Sequence, residues 1–147
     1  MIKRILALRY VCKKYGFKYH LKLFGDVGWV WPEERTICVS LFQKNFYQTL
    51  YHEVGHIIAD RSLGFGRKYS QASWESRLRF NGYFDAFVRL EEEAKASKFS
   101  IRVTKTADRD FLKRSWYTYT GAVSSRMTST ELDLYTTTVA KYNKYFE

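Results

Sequence analysis

Phe46-Tyr47-Gln48-Thr49-Leu50-Tyr51-His52-Glu53-Val54-Gly55-His56-Ile57-Ile58-Ala59-Asp60 is the most informative segment of this 147-residue chain. Phe46, Leu50, Val54 and Ile57 or Ile58 recur every three to four positions, the period of a helix that lays one face on a core. Inside that helix His52-Glu53-Val54-Gly55-His56 fits H-E-x-x-H. Two imidazoles four positions apart project from the same helix face one turn from each other, so both can bind one Zn²⁺. Glu53, beside them, can take a proton from water whose pKa the metal lowers towards about 7 while it polarises a scissile carbonyl. Average residue frequencies would place this pattern in a chain of this size roughly once in a few hundred sequences. Because the helix is read from period alone, motif and context agree, and chance is a weak competitor.

Working outward, residues 2 to 15 place Ile2, Ile5, Leu6 and Val11 near helical spacing, with Lys3, Arg4, Lys13 and Lys14 outward and Gly16 as the C-terminal stop. Tyr19, Leu21 and Leu23 alternate with Lys18, His20 and Lys22, the period of a half-buried strand. Residues 27 to 31 and 36 to 42 are β-branched or aromatic around the turn composition Pro32-Glu33-Glu34-Arg35. Three antiparallel strands are therefore expected. Beyond the motif, residues 61 to 73 read as a mobile loop and residues 74 to 98 as a long helix that Gly82 can bend. Residues 99 to 103 suggest a short strand and residues 108 to 114 a helix. Thr128 and Glu131 form a capping-box pattern ahead of Leu132, Tyr135, Val139 and Tyr142, which share one helix face.

A catalytic zinc needs a third protein ligand and an open position. No histidine follows His56, and the acidic cluster after the motif is Glu91-Glu92-Glu93. Stepping 100° per residue from Phe84 puts Phe87, Val88 and Glu91 on one face, with Glu92 at its edge and Glu93 opposite. A carboxylate on an apolar face is costly unless paired or bound to metal, so Glu91 is the expected third ligand. Glu92 and Glu93 stand as substitutes. His20, on a strand among lysines, reads as a surface or packing residue.

The strand pair, the Thr49–Ile58 segment and Glu91-Glu92-Glu93-Ala94 together resemble the ImmA/IrrE-type gluzincin metallopeptidases, over roughly residues 27 to 98. In that family a hairpin precedes the zinc helix and a later helix bearing E-x-E-A supplies the third ligand, which corresponds to Glu91. Lys95 stands where the family usually has Asn or Asp, and Ser97-Lys98 where it has Phe-Ala. The resemblance also implies an oxyanion-stabilising Tyr, His or Arg from beyond the zinc helices, for which Tyr117, Tyr119, Arg126 and Tyr135 are available. It further implies a regulatory role in the cytoplasm, such as cleavage of repressors encoded by mobile elements, and a phage or mobile-element origin suits it.

Composition bounds the alternatives. Hydrophobic residues make up 46% and aromatic residues 18%, so the chain folds, and 147 residues with one proline suit a single α+β domain of minimal zincin-like form. No apolar run approaches the roughly 18 residues that span a bilayer, and Arg9 interrupts the start before a secretory segment can form, so a soluble cytoplasmic protein is expected. Cys12 and Cys38 are too few for a disulfide framework and read as buried thiols. The 25 Lys and Arg against 15 Asp and Glu give +10, enough to attract nucleic acid without sequence preference. No RNP, KH or helix-turn-helix pattern is present, and most aromatics lie at core spacing. The expected function is zinc-dependent hydrolysis of a protein or peptide, with His52, His56 and Glu91 as ligands and Glu53 as general base. The competing reading is a basic nucleic-acid or partner-binding module whose zinc is structural.

Overall fold

A computed structural model describes residues 1–31, 34–63, 83–105, 109–124 and 128–147. Within these residues the order is α1 (Ile2–Tyr15), β1 (Lys18–Lys22), β2 (Gly28–Trp31), β3 (Thr36–Ser40), α2 (Phe46–Leu63), α3 (Tyr83–Thr104), α4 (Asp110–Ser124) and α5 (Ser129–Asn143), closed by a 3₁₀ turn at Lys144–Phe146. The class is α+β, as expected. Among the described residues no helix is long and apolar enough to cross a membrane.

The sheet is mixed rather than antiparallel. Its order is β1-β3-β2, with β2 antiparallel to β3 and β1 parallel to it. Composition accounts for the arrangement. Ile37, Cys38 and Val39 make β3 the most apolar strand, and all three are fully buried, so it takes the centre. β1 carries Lys18 and Lys22 and is exposed along its length, which suits an edge strand that must not recruit a partner. Tyr19 and Leu21 are consequently 41% and 51% exposed, not half-buried as their alternation suggests. The chain leaving β1 stays tied to β3: Leu41 N donates to Lys22 O, Phe42 N to Leu23 O and Ser40 N to Val27 O.

α1 ends at Gly16 in the left-handed conformation (φ 71°), as its sequence predicts. Its buried face is nonetheless Leu8, Val11 and Cys12, while Ile2 and Leu6 are exposed. Arg4 does not point to solvent. Its guanidinium donates to Leu41 O and Gln43 O and lies over the Phe46 ring, tying the first helix to the start of α2. Residues 99–103 continue α3 instead of forming a strand, since Ser100 Oγ donates to Gln48 O and Phe99 packs against the first core, holding the segment alongside α2. The helix expected at residues 108–114 runs on to Ser124. Thr128 caps α5 through the full capping box with Glu131. The expected loop at 61–73 lies outside the described residues beyond Leu63, as do Pro32, Glu33, the start of the long helix before Tyr83, Gly82, and Arg126.

Two cores result. The first joins Leu8, Val11 and Cys12 of α1, Ile37 and Val39 of β3, Leu41, and Phe46, Leu50, Val54 and Ile57 of α2. The second joins Ala94 of α3, Leu112 and Trp116 of α4, Tyr142 and Phe146. Trp116 also donates its indole N–H to Leu90 O, fixing α4 on α3. α3 therefore stands between the two cores, with α2 along one side and α4 and α5 along the other.

Candidate metal centre

The apolar face of α2 fills the first core, which turns His52, Glu53 and His56 towards α3 and the cleft beside it. α3 runs antiparallel to α2 at very close range. A Cβ on Gly55 would lie 2.6 Å from Ala96 Cα, so only glycine permits this crossing. The contact fixes the register. Three residues before Ala96, Glu93 reaches both histidines; one residue after it, Ser97 reaches His52.

His52 Nε2 lies 3.0 Å from Glu93 Oε2 and 3.1 Å from His56 Nε2, and His56 Nε2 lies 3.3 Å from Glu93 Oε2. Zinc bonds of about 2.0–2.1 Å at tetrahedral angles separate ligand atoms by about 3.3–3.4 Å. The triangle is within a few tenths of an ångström of one face of such a tetrahedron. Two imidazoles and one carboxylate also suit a borderline-soft divalent cation. Glu93 is only 1% exposed, and the two histidines are partly buried beside it. Three groups so placed can hold a metal ion.

Glu91 is not among them. It is half-exposed, with its carboxylate 2.6 Å from Lys95 Nζ one turn along α3. Burial alone would raise its pKa, but hydrogen bonding and charge from Lys95, with a hydrogen bond from Tyr142, hold the carboxyl below its ordinary value. The same contact, after burial, pushes the Tyr142 phenol up to about 12. The 100° stepping anchored on Phe84 points α3 the wrong way because the side facing α2 is built from Ala96, Ser97 and Ser100. Those small residues give almost no hydrophobic signal. Glu92 is buried but lies outside the trio.

Ser97 is a site residue that sequence reasoning missed. Its hydroxyl lies 3.1 Å from His52 Nδ1, on the ring edge away from the trio, where a partner fixes the orientation and tautomer of a ligating imidazole. The signal was its spacing: four residues beyond Glu93, it shares that residue's helix face.

Glu53 is 7% exposed and lines a cleft of about 330 Å³ together with His52, Gly28, Asp26, Gln43 and Thr49, the far wall being Phe111, Leu112, Arg114, Ser115 and Thr118 of α4. β2 begins hard against α2: a Cβ on Gly28 would lie 2.2 Å from Thr49 Cγ2 and 3.1 Å from Glu53 Oε1. Of the oxyanion candidates, Tyr117 hydrogen-bonds Asn143 and Tyr135 donates to Thr120 O, away from the cleft. Arg126 and the side chain of Tyr119 lie outside the described residues. The cation that lines the cleft is Arg114. No family model matches the chain, and no curated protein or solved structure is significantly similar to it.

Proposed function

We propose that the chain is a zinc-dependent peptidase acting on a protein or peptide substrate. The observation that carries this reading is the triangle of His52 Nε2, His56 Nε2 and Glu93 Oε2, with Glu53 beside it in the lining of an open cleft. A zinc ion held by His52, His56 and Glu93 would supply Lewis acidity towards a water and a substrate carbonyl. Glu53 does not belong to the trio and is placed to accept the water's proton and pass it to the departing amine. Ser97 holds His52 in its ligating orientation, and the α4 wall with Arg114 positions the peptide and draws the developing negative charge. A cleft of this volume falls within the range of ligand pockets.

Glu53→Gln tests the proposal. It should keep zinc and fold while turnover on an unstructured polypeptide falls by about 10² to 10⁴, the usual worth of general-base assistance. Cleavage at the wild-type rate by the zinc-loaded variant would mean a contaminating protease or another mechanism, and no cleavage of any peptide by wild type would leave a structural zinc site instead.

A further inference from the structure

We propose that the face of the sheet turned away from the metal centre is a stacking platform for single-stranded nucleic acid. The register sets its membership. Ile37, Val39 and Val30 point into the first core, so the alternate positions occupy the outer face. These are His20, Cys38 and Trp29 in one row, Lys18, Thr36 and Trp31 in the next, and Lys22 with Ser40.

Thr36, Cys38 and Ser40 are small, so the middle strand forms a trough over which the flanking rings lean. His20 and Trp29 stack across it at 6.1 Å between centroids, and Trp29 meets Trp31 at 4.9 Å. The result is a continuous row of three rings. His20 is exposed, Trp31 is 45% exposed and Trp29 between them is partly buried, so the row opens to solvent at both ends. Among the described residues no helix packs on it, since α1 and α2 both belong to the core on the other face.

Charge selects the occupant. Lys18 and Lys22, both exposed, lie on the same face two positions either side of His20, about 6.6 Å away along the strand. Six of the ten net positive charges fall in the first fifty residues, which build α1 and this sheet. Two copies of the face would bring four lysines together, which disfavours self-association. Rings flanked by cations match a strand whose bases present their π-faces and whose phosphates carry charge; a duplex hides those base faces. The platform reads no base edges, so binding is independent of sequence. It stands apart from the peptidase reading.

The test is fluorescence anisotropy of the full-length protein with labelled oligothymidylate of about fifteen nucleotides, against a duplex of equal length. The single strand should bind about tenfold or more tightly than the duplex and quench tryptophan emission. His20→Ala and Trp31→Ala should each weaken binding by about five- to a hundredfold. Lys18→Ala and Lys22→Ala should each lower the slope of log affinity on log salt by about 0.7. Unchanged melting and zinc content certify each variant's fold, and the variants of the exposed lysines keep the test decisive should a ring variant fail that control. Equal affinity for duplex, unaltered binding by Trp31→Ala with both lysine slopes intact, or no binding at low salt overturns the proposal. A dimer dissolved by Trp31→Ala, without oligonucleotide binding, assigns the face to a second copy and overturns it equally.

Discussion

Glu93 and Glu91 sit two positions apart on one helix, and the difference between them is what each carboxylate meets. Glu93 meets two imidazoles in a buried space, while Glu91 meets an exposed lysine. A metal-free Glu93 would be an expensive carboxylate to bury, whereas an exposed i,i+4 pair is worth only about 0.3–0.5 kcal/mol. Glu93→Ala should therefore abolish zinc binding, and Glu91→Ala should leave zinc content unchanged. Ser97→Ala should retain the metal but bind it about 10- to 100-fold more weakly, as loss of an outer partner to a ligating histidine does. Competition with a chromophoric chelator gives all three affinities. Equal losses from Glu91→Ala and Glu93→Ala would contradict the placement of α3. The histidine pair and Glu53 were legible because H-E-x-x-H encodes its own geometry on a helix. The third member of the triangle was not, because its position depends on the rotation of α3, and that rotation is set by contacts between small residues.

At the scale of elements, the α2–α3 crossing decides whether the site exists. Gly55 is one of the two variable positions of the motif, and its role is steric. A methyl group there meets the Ala96 backbone at 2.6 Å, which no rotamer change relieves. Overpacking of this kind costs about 1–3 kcal/mol. Gly55→Ala should lower the melting temperature by about 3–10 °C, at the few degrees per kcal/mol expected for a domain of this length. It should also weaken zinc binding, because pushing α3 outward draws Glu93 from the histidines. Ala96→Gly should not rescue it, since the clash is with Cα and the carbonyl oxygen rather than the Ala96 methyl alone. Calorimetry and zinc titration of the single and double variants check this. The same scale explains the sheet. Strand positions could be read from composition, but the parallel pairing of β1 could not, because alternation gives a face and no direction. The capping box of α5 and Gly16 at the end of α1 were legible because each is a local hydrogen-bonding or backbone requirement.

At the scale of the molecule, the three positions that could hold a metal ion join the two cores. His52 and His56 belong to a helix anchored in the first core, and Glu93 precedes Ala94, which is buried in the second. Zinc would fasten one to the other. By mass action a ligand at a thousandfold its Kd adds about 4 kcal/mol to the folded state, so chelation should lower the melting temperature by roughly 8–16 °C. Glu93→Ala should be indifferent to added zinc. Where that loosening occurs can be read from the thiols. Cys12 and Cys38 are both buried and free, and burial raises both pKa values, that of Cys12 to about 11. Neither should react with a disulfide reagent at neutral pH in the zinc-loaded protein, because the thiolate is the reactive form and access is closed. Cys12 belongs to the first core, and Cys38 lies on β3, the strand that carries Ile37 and Val39 into that core, so neither rests on α3. They should therefore stay protected after chelation at 25 °C, even as hydrogen exchange quickens in α3. Rapid labelling of either thiol on zinc removal would mean that the first core itself requires the metal, and that the two cores fold as one unit.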